Sequence, residues 1–226
     1  MGPTDPSIFV LKLLVIFLAL GLHEYAHAKM ADAAGDPTPG SYGRVTLNLF
    51  NHLDPMGTLM IVMSSLVGFG IGWGRPVPMD PRKMRNPRWD HFAAVAAGPV
   101  SNLIQAAVFA MILRFTVGNQ VFQVGILGVM SGQAGILAAV LSAGVLINLS
   151  LCFFNLIPLG PLDGQWLLGT FLPERYRWQW TKWNLQSGTF VLFGILLLGW
   201  FTPINILSGV LYPVVMRLFT FLLGLH

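Results

Sequence analysis

From Ile8 to Met30 the chain is almost continuously apolar, broken only by Lys12, by His23-Glu24-Tyr25-Ala26-His27 and by Lys29. A run of this length suits the roughly 30 Å hydrocarbon core of a bilayer, where a lone segment satisfies its backbone only as a helix. The helix then fixes the geometry of the interruption. Residues i and i+4 lie about 40° apart around the axis, so His23 and His27 share a face and can share one ion. A glutamate follows the first histidine, completing the H-E-x-x-H spacing in which two imidazoles hold zinc and the carboxylate serves as general base. Ionisable side chains are costly in hydrocarbon and mark functional sites there. With five His and only two glutamates, Glu24 and Glu174, chance would produce the pattern on the order of once in a thousand such chains. The plain alternative is a pair of core histidines satisfied by Glu24.

Composition says how far the apolar character extends. Of 226 residues, 54% are hydrophobic and 10% charged, against about 25% charged in a soluble domain. The expected fold class is an all-α membrane protein: a polytopic helical bundle of about five to six transmembrane helices with short membrane-associated strand or re-entrant segments. The apolar runs are too long and too little alternating for a barrel. The clear spans are about 8–30, 91–115, 135–158, 185–201 and 203–224. They form a single expected domain, 1–226, with a catalytic core of about 8–165 and C-terminal helices of about 185–224. The first apolar stretch is longer than a signal-peptide core and is expected to be retained, since cleavage after it would discard the histidines. Cys152 is the single cysteine, which excludes an intrachain disulfide and suits a small buried apolar residue. The net charge of +4 comes from basic residues in short loops, an orientation signal rather than a nucleic-acid footprint.

The connections carry turn chemistry. Asp36-Pro37-Thr38-Pro39-Gly40 is a turn cluster, and Gly43–Leu49 alternates in a way that predicts a short strand. Region 56–73 is apolar but glycine-rich, and the alternation of small and large residues over Gly68–Gly74 reads as an extended ribbon. Arg75–Asp90 holds five Lys/Arg among four prolines, a solvated or headgroup-facing loop without the aromatic platform that single-stranded nucleic acid requires. Gly98-Pro99-Val100-Ser101-Asn102 opens a span with small residues that allow close helix packing. Ser101 reads as packing alone, while Asn102 is a candidate both for a bond across helices and for a contact to substrate or oxyanion.

Two histidines leave a zinc site incomplete, because a catalytic zinc takes three protein ligands and a water. The candidates for the third are His52, His91, Asp163, Glu174, Asp32 and Asp54. Asp163 is favoured. It follows an apolar span within Asn155-Leu156-Ile157-Pro158-Leu159-Gly160-Pro161-Leu162-Asp163-Gly164, where Pro and Gly force irregular backbone. Such backbone is tolerated at membrane depth only where protein or a wet cavity surrounds it. A cap on the following helix is the plain role for an aspartate there.

On these residues the chain resembles the site-2 protease family of intramembrane zinc metalloproteases (peptidase family M50). The resemblance rests on His23, Glu24 and His27 followed much later by Asn155, Pro158, Leu162, Asp163 and Gly164. Gly35-Asp36, Gly43-Arg44 with Thr46-Leu47-Asn48, Arg75-Pro76-Val77-Pro78, and Ala97-Gly98-Pro99 with Asn102 resemble its small bacterial branch, without PDZ or CBS domains. Leu49 stands where that branch suggests a proline, and Gln165 where a small residue is usual. The resemblance implies one Zn2+ per chain held by His23, His27 and Asp163, with Glu24 as general base and Asn155 at the substrate backbone or oxyanion. It further implies hydrolysis of peptide bonds in or near transmembrane segments of membrane-protein substrates, in the bacterial cell (inner) membrane. Oligomeric state is not legible.

Topology follows from parity. For the end of the first span to meet Asp163, an even number of crossings must separate them. Spans 91–115 and 135–158 supply two, so 56–73 is expected to dip in without crossing. One side then holds eleven of the thirteen Lys and Arg, and the positive-inside rule makes it the cytoplasm. The active site accordingly lies nearer the cytoplasmic face. Alternating residues near Thr46–Leu49 and Gly68–Gly74 offer an edge for an unwound substrate strand. Two rival functions were weighed. A metal transporter or metal sensor would want more carboxylates along the spans, and an inactive client-binding relative would not need Glu24.

Overall fold

The structure, a computed structural model, describes residues 6–66, 72–117, 135–202 and 205–224. Among the described residues, besides the four-residue helix Thr38–Ser41, the helices are α1 (Pro6–Ala33), α2 (Pro55–Leu66), α3 (Trp89–Val117), α4 (Ile136–Asn155), α5 (Asp163–Phe171), α6 (Glu174–Trp183), α7 (Thr189–Phe201) and α8 (Ile206–Leu223). Four of them, α1, α3, α4 and α8, are long and apolar enough to cross a membrane. α7 has only 13 residues of its own, entered directly from a π turn over Asn184–Gly188. No strand forms among the described residues, where the pairing is one isolated antiparallel bridge, Leu53 to Gly74.

α1, α3 and α4 make the body of the bundle, with α8 closing one side. Lipid gives helices no hydrophobic incentive to associate, so small residues that let backbones approach do much of the work. Ala106, Ala110 and Leu113 of α3 meet Ala138, Leu141, Val145 and Leu149 of α4, and Val215, Phe219 and Leu223 of α8 fill the remaining side. The opposite face of α3, with Val100, Ile104, Met111 and Phe115, is exposed, as expected of a surface turned toward acyl chains.

The predicted strand over Gly43–Leu49 is corrected. Thr46 Oγ1 accepts from the Asn48 amide at 3.1 Å, and Asn48 Oδ1 accepts from the Phe50 amide at 3.2 Å. These local side-chain bonds satisfy the backbone in place of a ladder, and the chain turns into a 3-10 segment over Leu49–His52. Leu49, the departure from the resemblance, seats its side chain against Gly21 of α1. Of the predicted Gly68–Gly74 ribbon, 68–71 lie outside the described residues, and 72–74 form no strand beyond the isolated bridge at Gly74.

α2 is a short excursion. Asp54 caps it, accepting from the Gly57 amide at 2.8 Å, and Pro55 suits its first position. The chain departs at Leu53 and returns to Gly74, the two residues of the bridge, and the Arg75 amide donates to the His52 carbonyl at 2.8 Å. Beyond it the loop comes back to the end of α1, where the Arg85 amide donates to the Ala34 carbonyl at 3.1 Å. Asp36 ties the two loops together: its buried carboxylate accepts from the amides of Thr38 at 2.9 Å and Asp80 at 2.7 Å. Burial alone would raise its pKa, but these hydrogen bonds, with Lys83 nearby, hold it below the ordinary carboxylate value.

Candidate metal centre

The helix dictated by the apolar run places His23 and His27 one turn apart, both buried, and α3 crosses directly over them. The crossing is close because residue 98 is glycine. A Cβ there would lie 2.3 Å from His27 Nε2 and 2.7 Å from His23 Cε1. Each imidazole is held from behind. His23 Nδ1 lies 2.6 Å from Asn102 Oδ1, and His27 Nδ1 lies 2.8 Å from the Ala94 carbonyl oxygen. Both partners are acceptors, so each ring carries its proton on Nδ1 and directs the Nε2 lone pair inward.

Asp163 meets those lone pairs. It is the first residue of α5, following the irregular Leu156–Leu162 segment, and Leu162 rather than Asp163 holds the cap position. Its Oδ2 lies 3.3 Å from His23 Nε2 and 3.4 Å from His27 Nε2, and the two Nε2 atoms are 3.0 Å apart. Oδ2 is buried without a hydrogen-bond donor. With each Nδ1 committed, the two Nε2 atoms and Asp163 Oδ2 converge as three potential ligand atoms, an arrangement that could hold a metal ion. Tetrahedral zinc with bonds of about 2.0–2.1 Å would set its ligands about 3.3 Å apart, so these separations suit it. Among the described residues this is the one grouping of three His, Cys, Asp or Glu able to hold a metal ion.

The other candidates for the third ligand have different roles. His52 donates from Nε2 to the Thr46 carbonyl at 2.8 Å, and burial lowers its pKa. His91 packs edge-on against Trp166. Asp54 caps α2, Asp32 lies 3.8 Å from Lys29, and Glu174 opens α6. Asn102 departs from one expectation. Its Nδ2 donates to the Ala19 carbonyl at 3.2 Å and to Asn148 Oδ1 at 2.9 Å. With both amide hydrogens so occupied, it has none for an oxyanion, and its oxygen is committed to His23. Asn155 donates back to the Leu151 carbonyl of its own helix at 2.9 Å.

Glu24 makes no hydrogen bond or ion pair among the described residues, although His27, His23, Asp163 and Arg44 act on it electrostatically. The chain at Gly74 runs beside it; a Cβ there would lie 3.1 Å from Glu24 Oε1. Two functional residues escaped the sequence reading. Asn148 is one polar residue in an apolar span, and only its partner Asn102 reveals its use. Arg44 is 2% exposed and donates from Nη2 to the Arg75 carbonyl, fastening the segment that follows Gly74. Its position in the Gly-Arg pair was visible, but a loop arginine carries no sign of burial.

A helical membrane bundle that brings two histidines of an H-E-x-x-H helix to a half-buried aspartate, beside an uncommitted glutamate, fits a membrane metalloprotease. Comparison with known proteins agrees. The model of peptidase family M50 matches residues 11–198. The Bacillus subtilis (strain 168) protein named "Putative zinc metalloprotease YwhC" is 34% identical over 209 residues, covering 92% of this chain and 86% of that protein. No solved structure matches. The chain belongs to peptidase family M50, the family of the site-2 proteases.

Proposed function

We propose that this chain is an intramembrane zinc endopeptidase that cleaves membrane-protein substrates within or beside a transmembrane segment, using one zinc ion held by His23, His27 and Asp163. The observation that carries this function is the convergence of three potential ligand atoms 3.0 to 3.4 Å apart next to an unengaged glutamate. Zinc there supplies Lewis-acid polarisation of the scissile carbonyl and acidifies the attacking water. Glu24 accepts the water's proton and delivers one to the leaving amine. Asn102 and Ala94 fix the ring orientations, and Asn148 fixes Asn102. Asn155 is assigned to the substrate backbone or oxyanion, to which it can offer the amide hydrogen not given to Leu151.

A peptide bond inside a helix is shielded, so the substrate must unwind before attack. The segment around Gly74, beside Glu24 and fastened by Arg44 at the Arg75 carbonyl, is the edge to which an unwound strand would add.

The membrane arrangement follows from lengths. α2 rises about 18 Å, short of the roughly 30 Å hydrocarbon core, and its excursion closes on the Leu53–Gly74 bridge. On this proposal 56–73 dips in without crossing, a reading that the short α2 and the Leu53–Gly74 bridge support, leaving α3 and α4 as the two crossings between the histidines and Asp163. Asn184–Phe201, about 27 Å when its π turn is included, is a fifth span. The zinc end, with residues 36–48, then faces the cytoplasm of a bacterial cell membrane. A reporter placing residues 36–48 outside the cell would overturn this topology. The chain acts as a single domain whose partners are lipid and a membrane-spanning substrate, with no nucleic acid.

The deciding experiment compares wild type and Glu24→Gln on a panel of single-span substrates, with zinc content measured on both. Cleavage is expected to fall about 10²–10⁴-fold while zinc stays bound. Undiminished cleavage by the variant refutes the assignment.

A further inference from the structure

Outside the zinc centre, a pocket of about 200 Å³ opens between the start of α3, α5 and α6, lined by Arg88, His91, Trp166, Arg177 and Thr181 among others. Two guanidiniums face it, and no carboxylate lines it. Neither arginine forms an ion pair among the described residues. Arg88 donates from Nε and Nη2 to the Thr170 carbonyl at 3.1 and 2.7 Å. Arg177 donates from Nε to the Gly169 carbonyl at 3.3 Å and from Nη2 to the Leu172 carbonyl at 3.2 Å. These bonds clamp the C-terminal end of α5, but a helix terminus offers only about half a unit of negative charge against two positive ones. Each guanidinium has five N–H groups, so most of its donors are still available. Asp80 pairs with Arg82, Asp90 accepts from the Asn86 amide and Asp163 faces the histidines, while Glu174, in the first turn of α6, forms no ion pair among the described residues.

The rim has a second character. Trp89, Phe92 and Phe171 pack edge-on at 5.4 to 6.1 Å between ring centroids, and Trp89 and Phe171 are exposed. On α6, Lys182 lies over the exposed Trp178 ring at 4.9 Å and Arg175 over Tyr176 at 4.4 Å. Aromatic rings interleaved with cations belong at the headgroup level of a bilayer, and basic pockets between spans there receive phosphate groups.

We propose that this pocket binds a phosphate-bearing anion through Arg88 and Arg177, with His91 and Thr181 as further polar contacts. The phosphate comes either from the headgroup of an anionic phospholipid, whose acyl chains the aromatic rim would accept, or from free phosphate. Occupancy would brace α5, the helix that begins with Asp163.

Native mass spectrometry of the detergent-solubilised full chain tests this, titrated separately with dioctanoyl phosphatidylglycerol, dioctanoyl phosphatidylcholine and sodium phosphate. Wild type is compared with Arg88→Gln/Arg177→Gln and with Arg175→Gln/Lys182→Gln, which removes equal charge from the same surface outside the pocket. One phosphatidylglycerol or one phosphate is expected to bind wild type about tenfold or more tightly than the pocket variant, with the control pair unaffected. Binding of phosphatidylglycerol alone identifies the lipid source; binding of phosphate with the same variant dependence identifies the free anion. If both variants weaken binding equally, if the pocket variant binds as wild type does, or if neither anion binds, the site does not exist. Zinc content reports whether α5 stays seated. Should it drop in the double variant, Arg177→Gln alone, which leaves the Arg88 clamp intact, carries the same comparison.

Discussion

Replacing Asn102 by Ala leaves every zinc ligand in place and removes only the atom that orients one of them. His23 Nδ1 loses an acceptor at 2.6 Å, and Asn148 Oδ1 loses a donor at 2.9 Å. Asn102 and Asn148 are fully buried and His23 is nearly so, so water does not readily substitute. Loss of an outer partner of this kind lowers metal affinity about 10- to 100-fold, equivalent to about 1.4–2.7 kcal/mol. The two orphaned groups add a cost to folding of about 1–3 kcal/mol each. Competition for zinc against a chromophoric chelator measures the first effect, and thermal unfolding of the metal-free protein measures the second. Asn102→Asp keeps an acceptor toward His23 and is expected to retain more zinc than Asn102→Ala. Asn148→Ala, one bond further out, is expected to lose less. Zinc affinity of Asn102→Ala within about twofold of wild type would refute the inference that this side chain sets the tautomer and direction of His23, because an outer-shell partner carries more than that.

Gly98→Ala places a methyl 2.3 Å from His27 Nε2, and neither ring can retreat without breaking its Nδ1 bond. Zinc binding is expected to fall more than about tenfold despite the helix-propensity gain of about 1 kcal/mol; Gly40→Ala, which meets nothing closer than 3.9 Å, is the neutral control, and metal-to-protein ratios check both. Asp36 has a folded pKa below its unfolded one, so its stabilisation is complete above the unfolded value of about 4 and is lost as pH falls through the folded value. Asp36→Ala is expected to cost about 1.5–3 kcal/mol at neutral pH and to flatten the stability profile in that acid window, read by hydrogen exchange at the Asp80 amide. Stripping zinc with a chelator is expected to abolish cleavage and leave the helical circular dichroism of the bundle in place; full unfolding on removal would show that the metal holds the fold.

The long helices were legible because their cause is local. Hydrocarbon demands an internally bonded segment, and the apolar runs give α1, α3, α4 and α8 within a few residues of their bounds. The strand over Gly43–Leu49 was misread because alternation marks a strand only if a partner ladder exists, whereas Thr46 and Asn48 bond their own backbone. Within the expected span 185–201 the π turn at Asn184–Gly188 was not legible, because it has no hydropathic signal. The roles of Asn148 and Arg44 were invisible because each depends on a neighbour remote in sequence.

The sequence by itself determined that His23 and His27 share a helical face in an apolar span with Glu24 between them, and that Asp163 was the best third ligand. Helical periodicity and desolvation cost act along the chain, so they can be read from it. Only the tertiary structure decided that Nδ1 of each histidine faces an acceptor, that the two Nε2 atoms and Asp163 Oδ2 converge at zinc-like separations, and that Asn102 is committed to His23, Ala19 and Asn148. Those facts depend on where α3, α4 and α5 cross α1. That crossing is set by packing at Gly98 and along the bundle, which no local pattern specifies.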